Sequence, residues 1–527
     1  MKLLQCFHAS LIIIVLFLSG CAVGPDFVRP VAPEEEEWID SDNPQIKSEP
    51  ADLTDWWKVL NDPVLDSLIE IAYQQNLPLQ IAGLRIMEAR AQLGVAAGFQ
   101  YPQVQDVAGS ATANQISDNA PNARGTDKFF YDYQVGFDAA WELDFWGRFR
   151  RGVESAEANL LSSVAVYEDV LVTLTAEVAR SYVFIRTFEE QIRIARENVK
   201  IQKRSLEIAE ARFEGGLVTE LDVQQARSLL RSTEASIPRF ETSLRQARNA
   251  LSVLLGMPPS ELTDAMVGTG NIPMAPPEVI VGIPAELLRR RPDVRSAELQ
   301  AAAQSALIGV AKADLYPRFS LIGSIGLQSS EQGGFLSNNA HFGDLFDSDS
   351  ITYFVGPSVQ WPILNYGRIT NRVRVQDARF EQLVVNYQNT VLNAYREVED
   401  AMVGFLNSKE EVIYLSDSVK ASKRSVDLSL IQYREGVADY QRVLDTQRFL
   451  TSEEDRLTVI SGDVIVNLIS MYKALGGGWQ IRQGQDFVKE ETKEVMEERT
   501  NWGNLLSPDE IKEVPEEEKK KWRRPDW

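Results

Sequence analysis

The chain has 527 residues, enough for several packed layers, and a formal net charge of −22. That acidity excludes a nucleic-acid binder, which needs a basic face. The acidic runs at Glu34 to Glu37 and Glu516 to Glu518 read as solvated tails.

The first twenty residues read as a secretory signal. Lys2 supplies the positive start and Leu11 to Leu18 the apolar stretch, which is too short to cross a bilayer as a helix. It ends in Leu18-Ser19-Gly20-Cys21, a sequence similar to the bacterial lipobox, in which cleavage precedes a cysteine that then carries lipid. Ala22 follows where an aspartate would retain a lipoprotein in the inner membrane, so outer-membrane sorting is implied. After cleavage Cys21 and His341 are the last of their kinds, which argues against an intrachain disulfide, a His-based metal cluster or a Ser-His-Asp site. No P-loop or dinucleotide fingerprint is present, and no cofactor is expected beyond the lipid on Cys21. Gly476-Gly477-Gly478 reads as a helix stop rather than a phosphate cradle.

The remainder is one unit written twice. Trp141–Arg148 (WELDFWGR) returns as Trp361–Arg368 (WPILNYGR), Gly216-Leu217 as Gly436-Val437, and Leu255-Gly256 as Leu475-Gly476, each pair 220 positions apart. The spacing divides the chain into a signal (1–20), a lipidated segment (21–63), a first repeat (64–256), a linker (257–284), a second repeat (285–479) and a tail (480–527) expected to be flexible or draped over the rest. Each repeat begins with a helix, Val64 to Gly98 and Ala285 to Ala313, closed by Tyr-Pro.

Two strand-like stretches follow in each copy. From Tyr131 to Phe145 every odd residue is apolar, while Asp132, Gln134, Asp138, Glu142 and Asp144 lie between them. Arg318 to Gln328 alternates the same way with Ile322 out of pattern, Tyr353 to Leu364 alternates clearly, and Gln103 to Ala113 weakly. A tilted membrane crossing and a soluble sandwich both show this pattern, and the strands alone do not separate them. Four strands do not close a barrel, and an open edge in lipid leaves backbone groups unpaired. Strands in the membrane therefore require several chains to share one barrel.

A very long helix comes next, Gly147 to Glu214 and Gly367 to Glu435, then a glycine turn and a second helix, Thr219 to Leu255 and Asp439 to Leu475. In the second copy Phe380, Val384, Tyr387, Val391, Ala394, Val398, Ala401, Phe405, Val412, Leu415, Val419 and Val426 keep alternating steps of four and three, with Ser408 and Ser422 in the gaps. Leu160, Val164, Tyr167, Leu171, Leu174 and Val178 do so in the first. A sustained period of 3.5 means coiled-coil seams. A helix of nearly seventy residues extends about 100 Å, far beyond an ordinary core. Pro238 predicts a kink or break in the helix from Thr219.

Cys21–Pro30 (CAVGPDFVRP), Trp141–Arg148, Leu287–Val294 (LLRRRPDV) and Ala474–Trp479 (ALGGGW) resemble the outer membrane factors, the TolC and OprM type exit channels and in particular the NodT-type efflux lipoproteins. The resemblance runs from Cys21 to Trp479. It implies an α+β membrane fold: a homotrimer whose four strands per chain make a twelve-stranded outer-membrane barrel, continuous with a periplasmic α-helical coiled-coil barrel. It also implies a periplasmic adaptor and an inner-membrane pump of the RND class, with this chain the passive exit duct for small toxic compounds. A similar exit for type I protein secretion is the alternative within transport, and a membrane-tethered coiled-coil scaffold the alternative outside it. An enzyme is not expected, since nothing pairs a nucleophile with a base.

The resemblance places function at the hairpin tips. Gly216, Leu217, Val218 and Thr219, with Gly436, Val437, Ala438 and Asp439, take the adaptor-contacting positions. Asp222 and Tyr433 match a hydrogen-bonded pair that latches hairpins together. Asp445 matches an acid lining the closed aperture, where three carboxylates around an axis would repel one another and attract cations. Arg442 replaces a second pore acid, and Ala438 an arginine of a second latch, so the gate is expected to be mixed in charge and to rest on fewer bonds.

Overall fold

The computed structural model describes residues 22–507 apart from 34, 36, 48, 50, 51, 120–127, 263–265, 267–269, 283–289 and 333–339. Its helices are α1 (Pro63–Gln75), α2 (Leu77–Gly98), α3 (Arg148–Glu214), α4 (Glu220–Leu254), α5 (Pro292–Ala313), α6 (Arg368–Arg434), α7 (Tyr440–Ala474) and α8 (Glu490–Arg499). Its strands are β1 (Ile46–Lys47), β2 (Val104–Gln115), β3 (Phe129–Leu143), β4 (Val279–Ile280), β5 (Arg318–Gln332) and β6 (Ile351–Gln360).

The four long strands form one antiparallel sheet in the order β2-β3-β5-β6. Hardly any residue of it is buried, and among the described residues no second sheet packs on it. A soluble sandwich would cover one face, so that reading is excluded. Ile322, out of step in the sequence, falls in register with Ala140, which pairs in turn with Val104: the three make a short apolar row on the otherwise polar face.

The helices continue the sheet in the same order. Nearest the strands the row is α2, α3, α5, α6; farther away it is α4, α3, α7, α6. The two 67-residue helices, α3 and α6, run the full length, about 100 Å each. Between them shorter helices stack end to end. The Asn76 side chain accepts from Leu79 N at 2.9 Å at the start of α2 and donates to Leu254 O at 2.9 Å at the end of α4. In the second half, Arg291 Nη1 donates to Ala474 O at 2.7 Å, joining α5 to the end of α7.

The main core lies at these junctions. Leu65, Leu68 and Ile69 of α1, Ile86 of α2, Leu171 and Tyr182 of α3, Leu251 of α4, Phe405 of α6 and Leu468 of α7 are all fully buried there. The seam predicted along α6 is buried between Tyr387 and Val426, its serines Ser408 and Ser422 included, except at Val412, which is half-buried like Phe380 and Val384 at the seam's start. α3 is covered on both flanks, whereas α6 is covered on one only, leaving Val385, Leu392, Val403 and Ile413 exposed along its outer edge.

Four expectations need correction. The first helix breaks at Asn76, because that side chain caps a new helix start with Pro78 in its first turn. In the second copy the helix begins at Pro292, and 283–289 lie outside the described residues. α4 passes through Pro238 without a break: it lies along α3, and one missing hydrogen bond does not end a helix held by packing. The tail is not loose as far as Ser507. Val488, Met496 and Leu506 are buried, Lys493 is paired with Asp486 at 2.6 Å, and Arg90 holds the carbonyls of Leu505 and Ser507. Phe487 O crosses α2 so closely at Gly83 that a Cβ there would meet it at 2.1 Å. Residues 508–527 lie outside the described residues.

Candidate functional site

At the end away from the sheet each long helix stops in a glycine turn. Gly216 has φ +70° and Gly436 φ +78°, left-handed values that favour glycine. Leu217 N reaches back to Arg212 O and Val437 N to Gln432 O, both at 2.9 Å. The turns present Leu217 and Val437 to solvent at 69% and 78% exposure, with Val218 and Ala438 half-buried behind them. Thr219 stands extended before α4 without a side-chain cap bond, and Asp439 caps α7 by accepting from Arg442 N at 3.3 Å.

Just above the tips the structure brings Asp222 and Tyr433 together. The Tyr433 hydroxyl donates to Asp222 Oδ2 at 3.3 Å, linking α6 of the second hairpin to α4 of the first. The Tyr433 ring is buried against Tyr440, centroids 5.2 Å apart, and the Tyr440 hydroxyl shares a hydrogen bond with Ser205 at 3.2 Å. Burial first, and then the charge of Asp222, holds the Tyr433 hydroxyl well above the ordinary tyrosine range, so it stays protonated as a donor. Burial likewise raises Tyr440.

Sequence reasoning missed Arg212. Its guanidinium lies 4.7 Å over the Tyr433 ring and donates to the main-chain oxygens of Tyr433 and Arg434. Nothing local marks it, because its partners lie more than two hundred residues away.

Asp445 and Arg442 are not brought together with that cluster. Both stand exposed on α7, a helical turn apart, and Asp445 Oδ1 accepts from Gln441 Nε2 at 2.9 Å. Among the described residues no ion pair joins them. The seam between α3 and α7 above is polar: Gln191 donates to Asp455 at 2.7 Å, and Asn198 to Glu454 at 2.7 Å. At the same seam the side-chain amides of Gln202 and Gln447 are buried without partners. Among the described residues no group of His, Cys, Asp or Glu is arranged to hold a metal.

Cys21 lies outside the described residues, but its neighbours are placed. Ala22 packs on Gly147, Val23 N donates to Trp146 O at 3.0 Å, and Asp26 pairs with Arg151 at 2.6 Å, all where β3 passes into α3. The segment then runs down α5 and α6 through Arg29–Glu298 and through Ile39 N to Glu399.

An exposed sheet with open edges, prolonged by a row of helices several times a bilayer's thickness, defines an outer-membrane duct. The family described as outer membrane efflux protein matches residues 68–257 and 283–477, and the chain belongs to it. It is the outer-membrane channel component of an efflux system, extending into the periplasm. It is similar to the solvent efflux pump outer membrane protein SrpC of Pseudomonas putida, 30% identical over 481 residues that cover 89% of this chain and 98% of the relative. It is equally similar to the cation efflux system protein CusC of Escherichia coli O6:H1, 30% identical over 476 residues, 89% of this chain and 98% of the relative. The solved outer-membrane channel OprN superimposes with a TM-score of 0.81 at 31% identity, over 87% of this chain and all of that one.

Proposed function

We propose that three copies of this chain close a twelve-stranded barrel in the outer membrane and a continuous helical tube below it. The assembly is a passive exit duct for small toxic compounds. One observation carries the reading. The chain's two flanks, β2 with α4 on one side and β6 with α6 on the other, leave their strand edges unpaired and apolar side chains of their helices exposed, although the tail packs across α2. The strand edges cannot stay unpaired in lipid, and a head-to-tail contact between unlike flanks closes into a ring when the rotation between copies returns to the start. Lipid on Cys21 anchors each chain at the level where strands become helices. The tips, with Leu217 and Val437 foremost, dock on a periplasmic adaptor that links the duct to an RND-type pump. The Asp222–Tyr433 bond latches the hairpins, while Asp445 and Arg442 line the aperture.

Relatives named for solvents and for cations match this chain over nearly their whole length, which supports a duct that leaves substrate choice to the pump. Purified mature protein in planar bilayers tests the channel: ion-conducting pores are expected, and a bilayer that stays silent at every protein concentration excludes the duct.

A further inference from the structure

α3 and α6 both end at the tips, so two helix carboxyl ends lie at one level with their partial negative charges side by side. Such ends repel unless a cation lies between them. Arg212, in the last turn of α3, reaches across to the last turn of α6. Its Nη1 donates to Tyr433 O and to Arg434 O, the latter at 3.0 Å, and its plane covers the Tyr433 ring at 4.7 Å. One nitrogen of the guanidinium meets both carbonyls while its plane lies on the ring, a planar contact that an ammonium does not reproduce. The same tyrosine donates to Asp222, so both contacts belong to one arrangement of the hairpins. The position 220 residues on is Gln432, exposed and uncharged, so the second hairpin has no matching cation to offer from this place.

We propose that Arg212 is a positioning residue of the gate: it fastens the second hairpin of a chain to the first and holds the aperture in its closed arrangement. The proposal rests on the channel reading above.

The test uses full-length protein in planar bilayers, comparing wild type with Arg212→Gln and Arg212→Lys. A hydrogen bond to a charged group sets the expected size: for Arg212→Gln the closed-to-open ratio falls roughly tenfold to a hundredfold. For Arg212→Lys, which keeps the charge but loses the planar contact on the Tyr433 ring, it falls less. Oligomer mass in detergent stays unchanged in both, which a merely structural role would not predict. Wild-type opening in Arg212→Gln, in pores that wild type does form, overturns the proposal. Absence of pores in wild type overturns the channel reading instead. If Arg212→Gln is not recovered from the membrane, Arg212→Lys decides alone, and wild-type opening in it overturns the proposal.

Discussion

Val135→Arg is expected to abolish assembly in the outer membrane, whereas Gln134→Arg, one position away, is expected to leave it intact. Val135 stands opposite Gly109 and Leu327, in the alternating set of Tyr131, Tyr133, Phe137 and Trp141. Gln134 stands opposite Ser110 and Gln328, in the set of Asp132, Asp138 and Glu142. The first set suits lipid and the second a wet lumen. An arginine on the lipid side near mid-bilayer costs about 2–4 kcal/mol, and a barrel shared by three chains incurs that cost three times. The lumen substitution exchanges one hydrated side chain for another. The check is the amount of heat-resistant oligomer in outer-membrane fractions of the two variants. Equal tolerance of both would mean that the sheet does not lie in lipid.

Arg291→Ala is the second large effect. The guanidinium is almost fully buried, bonds Ala474 O, meets Asp293 twice at 3.0 and 2.8 Å and reaches Glu397 at 2.8 Å. Removing it leaves two carboxylates facing each other and the end of α7 unattached to α5. Losing one partner of a buried ion pair costs about 3–5 kcal/mol, and partial exposure of Asp293 and Glu397 brings the expectation to about 2–4 kcal/mol. The folded oligomer should melt at clearly lower temperature, and a melting temperature equal to wild type would contradict the role given to this junction. The junction also titrates. Burial first, and then the charge of Asp293, pushes Asp169 of α3 up to about 6 from its ordinary 3.8. A carboxyl raised in this way favours the folded state when protonated. Its contribution is full below about pH 4 and is lost as pH rises through about 6. Arg291 opposes the rise, so in Arg291→Ala that loss moves to higher pH.

Much of this architecture was legible in the sequence because it is periodic. Apolar steps of two marked β3, β5 and β6 to within a few residues, and steps of four and three marked a seam from Phe380 to Val426 that the structure buries except at Phe380, Val384 and Val412. What was not legible depends on partners far along the chain. Asn76 looked like a polar residue inside one helix, yet its amide ends one helix, starts another and holds the end of a third. The tail has Phe487, Val488, Met496 and Leu506 at no regular spacing, so its packing on α2 leaves no local signature. At the tips Asp222 and Tyr433 were reached through the family resemblance. Arg212, which touches the same tyrosine, has no counterpart in the repeat to draw attention to it.

The seam between α3 and α7 is polar along part of its length. Within each hairpin the contacts are apolar heptads, which resist sliding. Between the hairpins Asn198, Gln202, Gln447 and Glu454 interrupt the apolar contacts that continue above and below them.

The account stands on the claim that four strands of one chain become a barrel only by being shared. The most direct measurement is the mass of the unboiled, detergent-solubilised mature protein, by light scattering corrected for bound detergent and lipid. A mass of three chains is predicted. A stable monomer that keeps its strands would contradict the shared barrel and the duct built upon it.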